Sequence, residues 1–303
     1  MRWLSLKLLL IQLQRPRLVP KVREMAATRK RIICLMLAGL TICGSACSVN
    51  NAKRNYVVAE RLWNEGKYSA AVAEFDKVYN KDSTGPLGLQ ALYRSAHTQI
   101  FFLSQYSEAA RKLKIYADIT KPSPQNWEAQ KLIGDLLFSK MDQYDLAVQH
   151  YRALLLQKPV ATEAPEFHFR IGKSLFYAAD FSGAIREYRA LIHGHPKSKW
   201  AEKAAYEIGV TFFTRGEQRP DEKGPGTEAY QDAIDAYEDF LKKYPKSQWV
   251  PLARFGIASC LEEMDQLDAA YQSYAAIKGI YPSPNVIEIK LVRIRERKAQ
   301  RSR

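Results

Sequence analysis

Glycine and proline are scarce in this sequence, 15 and 14 of 303 residues, which excludes collagen-like and low-complexity chains. Cysteine is scarcer still, and four residues cannot frame a disulfide scaffold at this length. Catalytic signatures are missing as well. There is no Gly-rich phosphate loop, no His-Glu-x-x-His, no Cys-x-x-Cys and no Gly-x-Ser-x-Gly, so neither catalytic residues nor a cofactor is expected. His193 and His195 could offer two metal ligands, but no cysteine or acidic cluster stands beside them, and no metal is expected.

Acidic side chains are the minority, 32 against 46 Lys and Arg, for a formal net charge of +14 and a pI of about 9.5. That total invites nucleic acid as a partner, but its distribution does not. Residues 1–46 hold nine basic side chains and one acidic, and residues 288–303 hold seven basic and two acidic, which leaves the body at +1. With no nucleic-acid-binding module accompanying either end, no nucleic-acid partner is expected.

The N-terminal excess reads as a leader. From Met25, the expected start of translation, the basic stretch Arg29-Lys30-Arg31 precedes an apolar run of eleven residues, Ile32 to Ile42, and then Gly44-Ser45-Ala46-Cys47. Eleven residues fall short of the ~20 of a bilayer span but suit the apolar region of a signal peptide. The small residues before Cys47 resemble a bacterial lipobox, whose cysteine is diacylated and becomes the mature N-terminus. The resemblance implies a signal over 1–46, a lipidated linker over 47–55 and membrane attachment through the Cys47 lipid. An ordinary secretory signal with a coincidental cysteine, or an uncleaved inner-membrane anchor, are the alternatives. Cys260 is then left alone in an apolar helical pattern, as a small buried hydrophobe.

Over 56–281 one spacing recurs: a large apolar residue, Ala three later, a large residue four after that, and an apolar residue three further on. It appears as Tyr68-Ala71-Phe75-Val78, Tyr106-Ala109-Leu113-Tyr116, Tyr144-Ala147-Tyr151-Leu154, Phe181-Ala184-Tyr188-Leu191, Tyr230-Ala233-Tyr237-Phe240 and Leu267-Ala270-Tyr274-Ile277. The alanines are 38, 38, 37, 49 and 37 residues apart, which marks an internal repeat with one insertion. Offsets of this kind share one face of an α-helix, and a second helical run precedes each instance. Each unit is thus a helical hairpin that needs a neighbour to cover its apolar face. The charged, Gly- and Pro-bearing segment 215–228 is expected as a surface loop. Residues 282–303 are expected as a capping helix, with Ile287, Leu291 and Ile294 inward and a solvated basic tail beyond.

The Tyr-x-x-Ala-x-x-x-Tyr pattern, the small residues Ala59, Gly172, Gly209 and Ala258 of the first helices, and the prolines closing several units resemble the tetratricopeptide (TPR) repeat. The resemblance implies an all-α, TPR-type helical-hairpin solenoid of about six repeats with a C-terminal capping helix. His97 and Asp135 stand where a small residue is usual, so those two hairpins are expected to pack less tightly. Tyr244-Pro245-Lys246-Ser247-Gln248-Trp249 and His195-Pro196-Lys197-Ser198-Lys199-Trp200, together with the lipobox, resemble the BamD family of barrel-assembly lipoproteins, also called YfiO or ComL. YbgF (CpoB)-like periplasmic proteins are the near alternative. The chain departs from the BamD pattern in having six repeats with the insertion in the fifth.

The BamD resemblance implies an outer-membrane, periplasm-facing protein whose partners are barrel-assembly subunits and the C-terminal peptides of outer-membrane proteins. A YbgF-like scaffold would instead serve cell division, the Tol-Pal system or secretion. TPR register places Arg94, Thr98, Phe101, Phe102, Leu136, Lys140, Phe169, Lys173, Tyr177, Tyr206 and Phe213 on the concave face formed by first helices. Aromatic faces with sparse cations suit an extended peptide bearing apolar side chains and a carboxylate.

Overall fold

The computed structural model describes residues 51–157, 162–218 and 226–301. The leader, Cys47 and the middle of the insertion lie outside the described residues. Thirteen helices and no strand are present among them: α1 over 51–64, α2 Tyr68–Lys81, α3 Pro86–Phe102, α4 Tyr106–Ile119, α5 Pro124–Ser139, α6 Tyr144–Leu156, α7 Ala164–Tyr177, α8 Phe181–Gly194, α9 Lys199–Gln218, α10 Thr227–Lys243, α11 Val250–Glu263, α12 Leu267–Ile277 and α13 Pro284–Arg301. The fold is the all-α, TPR-type array that the spacing predicts. Five of the six repeat-opening residues, Tyr68, Tyr106, Tyr144, Phe181 and Leu267, are the first residues of second helices. The sixth, Tyr230, lies one turn inside α10.

The turns explain that regularity. Two residues before each of those five openings the backbone is left-handed, at Gly66 (φ 74°), Ser104 (54°), Asp142 (51°), Ala179 (60°) and Asp265 (63°). Only one of the five is glycine, so the hairpin geometry imposes this conformation on residues that disfavour it. Asp180 and Ser123 supply side-chain caps, accepting from the backbone N–H of Gly183 (2.8 Å) and Asn126 (3.1 Å).

The chain divides after Ser104 into two compact units. In the first, α1, α2 and α3 enclose a core of Ala52, Ala59, Ala71, Phe75, Val78 and Ala91. The segment expected as a linker is therefore helical from residue 51, because Ala52 is fully buried and Asn55 donates to Glu74 (3.3 Å). In the second unit α4 is followed by four hairpins, α5/α6, α7/α8, α9/α10 and α11/α12, and by α13. Each second helix packs on the next first helix. Next-but-one packing runs from first helix to first helix, α7 on α9 and α9 on α11.

Small residues set the closest approach within hairpins. A Cβ on Gly209 would overlap the ring of Tyr237, itself 3% exposed. The third repeat, α5/α6, is the least extensively packed hairpin of the second unit, as Asp135 at the small position predicts, and its close approach moves one residue, to Gly134. A Cβ there would stand 2.7 Å from Tyr151 Cε1, while Asp135 accepts a 2.9 Å hydrogen bond from the Tyr151 hydroxyl.

Two sequence expectations for the ends of elements are corrected. Residues 215–218 continue α9 and 227–228 begin α10, so the expected loop is shorter at both ends. The basic tail is not free. Helix α13 continues to Arg301, and its cations meet carboxylates of α11 and of the turn and first turn that follow it. Glu262, 0% exposed, accepts from Lys290 (2.8 Å) and from the Tyr274 hydroxyl (3.0 Å), with Arg293 Nε at 3.3 Å from its other oxygen. Arg297 pairs with Asp265 at 2.9 Å, Arg301 also pairs with Asp265, and Lys298 pairs with Asp268. Ile287, Leu291 and Ile294 are buried beneath this clasp, the three that the pattern points inward. No described helix is long and apolar enough to cross a membrane.

Candidate peptide-binding surface

The residues expected on one binding face separate into four groups. Phe169 and Leu136, 4% and 2% exposed, are core residues, and Thr98, 2% exposed, donates to the Arg94 carbonyl (2.8 Å). They are corrected from surface to interior. In the second unit α7 and α9 each meet their own second helix, the previous second helix and a neighbouring first helix, so little of their circumference is left for a ligand. Tyr206 and Phe213 are half-buried, the first stacked on Trp249 (5.5 Å, 17°) and the second against Tyr230 (5.5 Å). Burial, aided by Glu207, pushes the Tyr206 phenol up to about 12.

Two of the expected cations are already engaged. In the first unit Arg94 forms a forked pair with Glu60 (3.1 and 3.2 Å) and lies 4.9 Å over the Trp63 ring. In the second, Lys173 pairs with Glu207 at 3.2 Å, where both side chains are largely buried.

What is left exposed is aromatic. Phe101 and Phe102 are 64% and 46% exposed at the end of α3, Phe102 stacking on Tyr68 at 4.1 Å. In the second unit Tyr177, 51% exposed, stacks on Tyr144 (5.3 Å, 21°), and Phe138 meets both rings at about 6 Å. Lys173 lies 5.0 Å under Tyr177 and Arg170 5.9 Å from Phe138, so the outer ring faces are backed by cations. Lys140, which follows α5, is exposed, stands 5.7 Å from the Tyr106 ring, and has no carboxylate partner among the described residues.

The geometry thus brings together Lys173 and Tyr177 from the expected set and adds Phe138, Tyr144 and Arg170, which were not expected, while Lys140 stands at the Tyr106 ring. Tyr144 was assigned to repeat packing. The signal for Phe138 was an aromatic six residues before a repeat opening, where α1, α3, α7 and α11 carry the aliphatic residues Leu62, Ile100, Leu175 and Leu261.

Behind this surface the two Pro-Lys-Ser junctions are built alike. Ser198 and Ser247 each accept from the backbone N–H of a tryptophan two residues on (3.1 Å in both), which directs Trp200 onto Phe169 and Trp249 onto Tyr206. Lys203 caps the pair, 4.8 Å from Phe169 and 5.7 Å from Trp249.

Residues 138–285 match the YfiO family of outer membrane lipoproteins. The matched segment opens at Phe138 and takes in Lys140, Tyr144, Tyr177 and both tryptophan junctions. Outside it lie the first unit, α4 and nearly all of α5 and α13. Among solved structures, the YfiO-like chain is similar to a tetratricopeptide repeat protein from Parabacteroides merdae, at 13% identity over 83% of this chain and 88% of that one, with a TM-score of 0.49. It is also similar to the C-terminal part of a TPR protein from Cytophaga hutchinsonii, at 18% identity over 74% and 78%, TM-score 0.49. PilW, a type IV pilus biogenesis factor, is similar at 14% identity over 80% and 97%, TM-score 0.47. No curated protein matches the chain.

Proposed function

We propose that the chain is a non-catalytic interaction scaffold, anchored in the outer membrane by a lipid on Cys47 and facing the periplasm, that takes part in assembly of outer-membrane β-barrel proteins. Its ligand is an extended peptide segment. Aromatic side chains of that segment lie against Tyr177 and Phe138, and a terminal carboxylate reaches Lys140. Its protein partners are the other subunits of the barrel-assembly complex.

One observation carries the reading: the YfiO match begins where the exposed aromatic patch begins. Aromatic stacking on cation-backed rings is worth about 0.5–1.5 kcal/mol per pair, so loss of two rings is expected to weaken binding by about tenfold or more. Titration of aromatic-ended C-terminal peptides against wild type and Phe138→Ala/Tyr177→Ala measures this, and equal affinities would sink the peptide assignment. Depletion in the cell is expected to lower outer-membrane barrel levels. Normal barrel levels with impaired division or secretion would move the scaffold to that role. Metabolic labelling with a palmitate analogue tests the anchor, and label persisting in Cys47→Ala would refute it.

A further inference from the structure

Charge in the second unit is sorted by edge. Helices alternate in direction, so the turns inside hairpins lie along one edge and the junctions between hairpins along the other. In α5/α6, α7/α8 and α11/α12 the inner turns and the helix starts that follow are acidic, with Asp142 and Asp145, Asp180, and Glu263, Asp265 and Asp268 against Lys140. The opposite edge is basic. Residues 193–203 at the α8–α9 junction hold Lys197, Lys199 and Lys203, and residues 242–249 at the α10–α11 junction hold Lys242, Lys243 and Lys246, six lysines with Glu202 as the single carboxylate. This excess of +5 stands in a body of +1. The two junctions are neighbours: Glu202 and Lys243 to Gln248 line one depression, and Lys203 lies 5.9 Å from the Trp200 ring and 5.7 Å from the Trp249 ring.

Carboxylates of the chain do not neutralise these lysines. Lys197, Lys199, Lys242, Lys243 and Lys246 are exposed. Lys242 reaches Asp239 at 3.9 Å, a solvent-open pair of little weight, and among the described residues the other four have no carboxylate partner. Glu166, which borders the first junction, is held by Arg170 at 3.4 Å, and Glu187 of α8 by His168. The junction fold does not call for the charge either. The α4–α5 junction, Ile119 to Asn126, keeps the proline and the serine cap with one lysine, and the α12–α13 junction, Gly279 to Val286, keeps Pro282 and Ser283 with none.

We infer that this edge lies against an anionic phospholipid bilayer, with Lys197, Lys199, Lys243 and Lys246 among the headgroup phosphates. A cluster of about four to eight cations held near a bilayer attracts anionic lipid, and the attraction fades within ~10 Å, so it acts on the edge and not on the rest of the unit. All six cations are lysine, a flexible point charge that follows mobile headgroups, whereas the planar fork of arginine suits a partner of fixed geometry. Half-buried Trp200 and Trp249 stand beside them, the ring type that settles at the headgroup level. The inference rests on the anchoring proposed above only for a bilayer being at hand.

The test is amine acetylation read lysine by lysine by mass spectrometry. The full chain is mixed with vesicles of phosphatidylcholine alone, or of phosphatidylcholine and phosphatidylglycerol in equal parts. On the anionic vesicles labelling of Lys197, Lys199, Lys243 and Lys246 is expected to fall at least threefold and to return in half-molar salt, while Lys114 and Lys140, exposed elsewhere on the unit, keep theirs. Phosphatidylcholine alone should protect none of them. The basic leader can bring the chain to a vesicle by itself, and the per-residue readout separates that from contact by the edge. Lys197→Glu/Lys199→Glu is expected to lower the protection of Lys243 and Lys246 at least twofold, with circular dichroism confirming the fold. Unchanged labelling of the four lysines on anionic vesicles, an equal fall at Lys114 and Lys140, or full protection of Lys243 and Lys246 in the variant would each overturn the assignment. So would protection by duplex DNA with none by the vesicles, which would move the edge to nucleic acid. The readout does not need the Cys47 lipid, so a failed anchor and a failed edge give separate results.

Discussion

Replacing Tyr188 by phenylalanine removes a single oxygen from the α7/α8 hairpin, and its expected effect is opposite in sign to the same change at Tyr151. The two tyrosines hold equivalent places, four residues after the repeat alanines, and are 0% and 1% exposed. Tyr151 donates to Asp135 (2.9 Å), whereas the Tyr188 hydroxyl has no hydrogen-bond partner among the described residues. A buried hydroxyl left without a partner carries a desolvation penalty of about 1–3 kcal/mol. Its removal recovers that penalty, offset by up to ~1 kcal/mol for the small void left behind. Tyr188→Phe is therefore expected to be between neutral and ~2 kcal/mol more stable. At Tyr151 the acceptor is a carboxylate, but its side chain is 47% exposed and rehydrates when the donor is lost. Tyr151→Phe is accordingly expected to lose only about 1 kcal/mol. Urea denaturation followed by circular dichroism measures both against wild type, and at this chain length 1 kcal/mol corresponds to a thermal shift of about 2–4 °C. Destabilisation by Tyr188→Phe equal to that of Tyr151→Phe would refute the account of the orphaned hydroxyl.

Burial holds the phenols of Tyr206 and Tyr230 at about 12 and raises those of Tyr151, Tyr188, Tyr237 and Tyr274 as well. A folded-state value above the unfolded ~10 means that stability is fully present below pH ~10 and is lost as pH rises toward 12. Tyrosinate absorbance and circular dichroism should then change together above pH ~10, and full ionisation with intact helicity would contradict this. Gly209→Ala drives a methyl into the Tyr237 ring and is expected to destabilise by about 1–3 kcal/mol, whereas Gly194→Ala, at a helix end with open space around it, should cost nothing by the same melt. Glu262→Ala removes the buried carboxylate that Lys290 and Arg293 share; because both cations reach solvent once it is gone, the change is expected to cost about 1–3 kcal/mol and to raise hydrogen exchange in α13. Unchanged exchange there would show that the apolar contacts of Ile287, Leu291 and Ile294 hold the cap alone.

The fold was legible because its signal is local. A residue such as Tyr144 or Phe181, with alanine three later, places a helix start, since hairpin packing needs that spacing within a dozen residues. The binding face was less legible because the first helices are enclosed by neighbours that sequence separates widely. Glu60 and Glu207, which engage Arg94 and Lys173, each lie 34 residues from their partner, about one repeat away, where no helix-local pattern reaches. Phe169 shows a second limit. Its periodicity placed it correctly on a helix, but it faces the tryptophan of the next repeat rather than solvent.

The clasp over α13 makes the end of the chain a point of dependence for everything beside it. A carboxypeptidase that trimmed the chain back past Lys290 would take away every cation that faces Glu262, Asp265 and Asp268, along with Leu291 and Ile294. The last hairpin would then present an acidic, half-uncovered surface whose carboxylates repel one another. Shortening at the C-terminus thus acts as more than the loss of a few surface residues: it turns a closed, charge-compensated end into an acidic open one.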